Sequence, residues 1–157
     1  MASLIVTLTE SLILNNKDQG GTISKEITSI GSVYKRIVTV PNGVDTTLVV
    51  FKSTVGIGAD AVMDINNVKY IRVTNLDGTN SVNLSLQIDT AEDNTAAADS
   101  CSILLEAGNS FMMGSPEDGI AVDDDAATLI TALVDLQSII IDSSSNDVDV
   151  EVFVAST

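Results

Sequence analysis

The sequence predicts an all-β domain: two antiparallel sheets face to face in a sandwich, jelly-roll-like, with about nine or ten strands and at most one short helix. Three observations predict it. Val, Ile and Thr number 18, 16 and 15, close to a third of the 157 residues. Such β-branched side chains suit a pleated surface and lose rotamer freedom in a helix. Apolar and polar residues alternate in short runs, which is the period of a half-buried strand. Clusters of Gly, Asn, Asp and Ser separate the runs at intervals suited to a sandwich or roll. A chain of this length makes one domain, residues 1–157, with enough core to stand without staples.

The first run covers 3–14, with Leu4, Val6 and Leu8 on one face. It serves either as the first strand of its own sheet, or as an arm, residues 1–16, that exchanges with a neighbour or adds a strand to its sheet edge. The break Asn15-Asn16-Lys17-Asp18-Gln19-Gly20-Gly21 follows, then runs at 22–28, 33–40 and 46–52, with a turn at Pro41-Asn42-Gly43. Residues 53–66 read as a Gly- and Ala-rich loop. Runs 68–75 and 81–88 read as a hairpin around 75–80, with Gly78 at a positive-φ position. Residues 89–101 read as a polar loop, 102–106 and 110–114 as strands around Ala107-Gly108-Asn109, and 115–125 as an acidic loop. Ala126, Leu129, Ile130 and Leu133 fit one helical turn capped by Asp125. Strands at 136–141 and 147–154 close the series; in the latter Val148, Val150, Val152 and Val154 alternate strictly.

The charge is uneven. The net charge is −15, and all seven bases (Lys17, Lys25, Lys35, Arg36, Lys52, Lys69, Arg72) precede Val73, among six acids. Residues 73–157 hold sixteen acids and no base. A polyanion repels phosphate backbones and anionic bilayers, so neither nucleic acid nor membrane is expected as a partner. The start carries no basic leader pattern and no run is long enough to span a bilayer.

Candidate chemistry is sparse, and no cofactor is implied. Histidine is absent, which removes His-based triads and His-ligated zinc. Asp123, Asp124 and Asp125, near Glu117 and Asp118, offer carboxylates to Ca²⁺, but adjacent aspartates do not match an EF-hand loop; a solvated acidic loop is the plainer reading. Cys101 reads as a small buried hydrophobe beside Ile103, Leu104 and Leu105. Five scattered aromatic rings make a poor stacking platform. Lys35, Arg36, Lys52, Lys69 and Arg72 are either solvated strand residues or a basic patch for the acidic half of a neighbouring subunit. Together with Leu4, Val6 and Leu8 they are the candidate partner contacts.

Three stretches carry a resemblance: Ile71-Arg72-Val73-Thr74-Asn75-Leu76 with Ser81-Val82-Asn83-Leu84-Ser85-Leu86, then Leu105-Glu106-Ala107-Gly108-Asn109-Ser110-Phe111, and Asp147-Val148-Asp149-Val150-Glu151-Val152. Here the chain resembles small β-rich virion proteins of tailed bacteriophages, especially head decoration or cement proteins of marine and cyanobacterial phages. The resemblance implies a non-enzymatic role on the outer capsid surface, major capsid protein or other virion subunits as partners, a homo-oligomer with a trimer favoured, and a soluble state in the host cytoplasm before assembly. A tail, neck or fibre position, and a secreted Ca²⁺-dependent glycan-binding module, are the alternatives.

Overall fold

The computed structural model describes residues 2–52, 62–88, 99–114, 121–122 and 134–157. In chain order its strands are β1 (Ala2–Glu10), β2 (Ile13–Leu14), β3 (Lys17–Asp18), β4 (Gly21–Ile30), β5 (Ser32–Val40), β6 (Thr46–Lys52), β7 (Val62–Asp64), β8 (Val68–Asn75), β9 (Val82–Ile88), β10 (Asp99–Leu105), β11 (Ser110–Met113), β12 (Ala121–Val122), β13 (Val134–Asp142) and β14 (Val148–Ser156). One 3₁₀ turn, Ile65–Asn67, is capped by the Asp64 carboxylate, which accepts from the Asn66 N–H.

Eight of these strands form a jelly roll. One sheet has the order β11-β8-β14-β5 and the other contains β10-β9-β13-β6, extended by β7. The pairs β5·β14, β6·β13, β8·β11 and β9·β10 are all antiparallel. They nest like the rungs of one long folded ribbon, rolled so that β14 also meets β8 and β13 also meets β9. The fold is therefore the double-sheet arrangement that two Greek keys produce. Among the described strands β7 lies parallel to β6, and Asn42 and Ser143 form an isolated parallel bridge.

The inner faces follow the alternation in the sequence. Val148, Val150, Val152 and Val154 of β14 and Leu84 of β9 are fully buried. They meet Ile71, Val73, Ile139 and Ile141 in one continuous core. In β13 the register slips between Leu136 and Ser138. This bulge turns both Leu136 and Ile139, three residues apart, toward the core.

Several local expectations change. Segments 68–75 and 81–88 do not pair as a hairpin: β8 belongs to one sheet and β9 to the other. Each has an apolar inner face, and these faces bury each other across the core when the connection arches between sheets. Gly78 does not take a positive φ; Gly43 and Gly108 do. The 75–80 connection is shaped instead by Asp77, whose carboxylate accepts from the N–H groups of Thr79 and Asn80, each at 2.7 Å. The expected loop 53–66 contains β7 and the start of the 3₁₀ turn, and β10 begins inside the expected loop 89–101. β12 lies within the expected acidic loop 115–125, while the helical turn 126–133 lies outside the described residues. The break at 15–21 contains β3.

At one end of the roll, Asn75 ties two connections together, 75–80 and 105–110. Fully buried, it donates to the carbonyls of Asn80 (2.8 Å) and Leu105 (3.2 Å) and accepts from the Asp77 N–H (3.0 Å). Truncation would leave buried carbonyls unpaired, so Asn75→Ala is expected to cost about 1–3 kcal/mol in urea unfolding. The Asp77 carboxyl is pulled down to about 2, chiefly by the backbone N–H groups of Asn80 and Thr79. Its stabilising contribution is present above the ordinary value of 3.8 and is lost as pH falls through about 2. A carboxyl NMR titration of Asp77 should show that low midpoint, and Asp77→Asn should remove this part of the acid dependence.

Candidate interaction surface

Strands β1 and β4 form a two-stranded antiparallel sheet of their own, from Ala2 opposite Ile30 to Glu10 opposite Gly21. The arm therefore comprises residues 2–30, longer than the 1–16 suggested by the break at Asn15. That break is the tip of the hairpin. Asn15 and Asn16 both have positive φ, 52° and 60°, as a two-residue primed turn requires. They join Leu14 and Lys17, which pair as β2·β3. Gly20 is required next to them, because a Cβ there would collide with the Glu10 carbonyl.

Near the roll, the arm gains an extra residue in β4. The register shifts between Ala2 and Leu4, which pair with Ile30 and Ile27, and Ser29 has φ 64°. This bulge puts Ile27 and Ile30 into the same contact. Both are buried with Tyr70 and Ala155, and Leu4, Val6 and Phe153 pack against them. A second, smaller core thus lies on the outer face of the β8–β14 pair. The Tyr70 and Phe153 rings meet edge to face, 6.0 Å between centroids, a favoured aromatic geometry.

Charged groups border this shelf. The Arg72 guanidinium lies 5.7 Å from the Phe153 ring centroid and donates to the Glu151 carboxylate. Lys35 reaches the other carboxylate oxygen at 3.0 Å. The Lys35 hydrogen bond, with the charges of Lys35 and Arg72, holds the Glu151 carboxyl below its ordinary range against a smaller opposing effect of burial. Burial raises the Tyr70 hydroxyl, and the Arg72 charge partly offsets this.

Farther out, past Lys25 opposite Val6, the arm carries further exposed apolar residues on this face. Leu8 and Ile23 sit opposite each other and are 47% and 69% exposed. Leu12, Ile13 and Leu14 at the tip are exposed as well. Glu10, opposite Gly21, separates the Leu8–Ile23 pair from the tip, so the exposed apolar groups form two patches, each a candidate interaction surface.

The candidate partner residues separate accordingly. Leu4 and Val6 pack on the shelf, and Leu8 lies beyond it. Lys35 and Arg72 converge on Glu151. Arg36 lines a shallow groove between β5 and β6 with Tyr34, Val38 and residues 47–50. Lys52 is exposed at the end of β6, and Lys69 is buried. The five cations are thus not gathered around one site. Sequence reasoning missed Ile27, Ile30, Tyr70, Glu151 and Phe153. A signal existed in Val150-Glu151-Val152-Phe153-Val154: with the valines inward, a phenylalanine stands on the wet face and needs cover.

Other chemistry stays sparse. Among the described residues no three His, Cys, Asp or Glu side chains gather as a metal site. Asp123, Asp124 and Asp125 lie outside the described residues. Cys101 is exposed rather than buried, because β10 is the outermost strand of its sheet. No protein family, curated protein or solved structure matches the chain.

If the shelf holds the arm, Phe153→Ala should release it without unfolding the roll. Hydrogen exchange is the measurement: amides of β1 and β4 should lose protection, while those of β9, β13 and β14 keep theirs.

Proposed function

We propose that this chain is a non-enzymatic structural protein of a virus particle, most specifically a decoration or cement protein on the outside of a tailed-phage capsid. The observation that carries the proposal is the arm: a β-hairpin anchored on a packed jelly roll, with Leu8 and Ile23 exposed as an apolar pair and Leu12, Ile13 and Leu14 exposed at its tip, Glu10 standing between the two patches. A rigid body that presents a greasy ribbon is suited to gripping a neighbour. The resemblance of the 71–86, 105–111 and 147–152 stretches to phage head proteins supports a capsid as that neighbour. Jelly rolls also serve in lectins and cupins, so the fold alone does not choose among these uses.

Electrostatics agree with an outer position. A net charge of −15 disfavours contact with packaged DNA and keeps the unbound protein dispersed at high copy number. The mechanism is adhesive: binding only the assembled shell stabilises it by mass action.

A glycan-binding role has one observation in its favour. A polar groove of about 360 Å³ crosses the outer face of the β9 sheet, lined by Asp45, Asn83, Ser85, Gln87, Ser102 and Asp142, with Ile140 and Ile141 beneath. It contains no aromatic ring, and ring stacking is the usual source of affinity for sugars.

Particles stripped of the protein and then reconstituted provide the test. Added protein should raise the temperature at which the shell releases its DNA. Leu8→Asp with Ile23→Asp should abolish binding while leaving the unfolding transition of the free protein within about 0.5 kcal/mol, since both positions are solvent-exposed. Binding that survives this pair, or a shell equally stable without the protein, would argue against the proposal.

A further inference from the structure

Strand β1 pairs with β4 along one side, and among the described residues no strand pairs with its other side. Free edges of this length ordinarily carry charges, proline or a bulge that discourages pairing. The β5 edge carries Lys35 and Arg36, and β4 carries Lys25 and Glu26. β1 carries no charge from Ala2 to Thr9, in a protein of net charge −15. From Ser3 to Thr9 its order is also nearly symmetric about Val6: Leu4 mirrors Leu8, Ile5 mirrors Thr7, and Ser3 mirrors Thr9, while the end pair Ala2 and Glu10 differ.

We propose that the free edge of β1 pairs with β1 of a second copy, antiparallel and across a two-fold axis at Val6. The symmetry of the sequence is what a self-complementary seam requires: residue i meets j on one copy and j meets i on the other. In this register Leu4 faces the partner's Leu8 and Val6 faces the partner's Val6, so the centre of one face of the seam is apolar, and at each end of that face Ala2 meets the partner's Glu10. Ile5 faces the partner's Thr7 and Ser3 the partner's Thr9 on the other. No like charges are opposed within the seam. The arm surface that packs on Tyr70 and Phe153 becomes continuous with that of the partner arm, and Leu8, exposed in one copy, gains a neighbour. The occupant is another copy of this chain, and the pairing is independent of whether the body finally sits on a capsid.

Size-exclusion chromatography with light scattering, over a concentration and salt series, tests the register. The native chain should form dimers, and added salt should favour them by screening repulsion between the acidic bodies. Ile5→Lys with Thr7→Lys places like charges opposite each other in the seam and should weaken association at least tenfold. Ile5→Lys with Thr7→Glu places opposite charges across the same two-fold and should restore it to within a few-fold of native. Both positions are exposed on the face turned away from the shelf, so the fold should be kept, with circular dichroism as the check. A chain that stays monomeric throughout, a trimer, or two variants that associate equally would overturn the proposal. Capsid binding is scored separately, so failure of the pairing leaves that assay readable.

Discussion

Strand β14 pairs with β5 on one side and with β8 on the other, and it uses both of its faces. Inward, four valines with no exposed surface fill the centre of the core. Outward, Glu151 gathers Lys35 and Arg72, while Phe153 and Ala155 form the shelf for the arm. One strand therefore joins the roll to its appendage. Among the described residues the arm makes no backbone ladder with the sheet beneath it, so its seating depends on side chains that β14 and its neighbour β8 present.

The same arrangement explains how a strongly acidic protein keeps cations close to its working surface. Glu151 fixes Lys35 and Arg72 beside Phe153, where the guanidinium and the ring attract each other. The pair with Lys35 is partly solvated and contributes modestly to stability. Its larger effect is positional, because it holds charge at the rim and leaves an apolar platform under the arm. Charge is absent from β1 between Ala2 and Thr9 and present around the shelf, which separates the part of the arm that grips its own body from the part that faces outward.

Much of the fold was legible because the apolar period is two, and strands such as β9 and β14 obey it, while bulges in β13 break it. β9 and β14 stand where their alternation placed them. What periodicity cannot encode is which strand lies beside which. A hairpin and an arch between sheets bury the same alternating residues, so β8 and β9 looked like neighbours in one sheet and are opposed across the core. The arm was partly legible: its first strand and its tip were visible, but β4 carries Lys25 and Glu26 and reads as an ordinary surface strand. Leu4, Val6 and Leu8 were singled out as contacts, whereas the platform beneath them was not, because an outward Phe or Tyr becomes meaningful only once the inward face is known.

The nesting of β5 with β14 has a consequence for synthesis. These strands are separated by about a hundred residues of chain, and β6 must wait similarly for β13. On a ribosome, the first half of the roll emerges with its inner faces unmatched. The β1–β4 hairpin, by contrast, closes from local contacts alone. Each nascent chain thus displays a finished ribbon before it owns a shelf to rest that ribbon on, and closure of the roll is delayed until β14 has emerged.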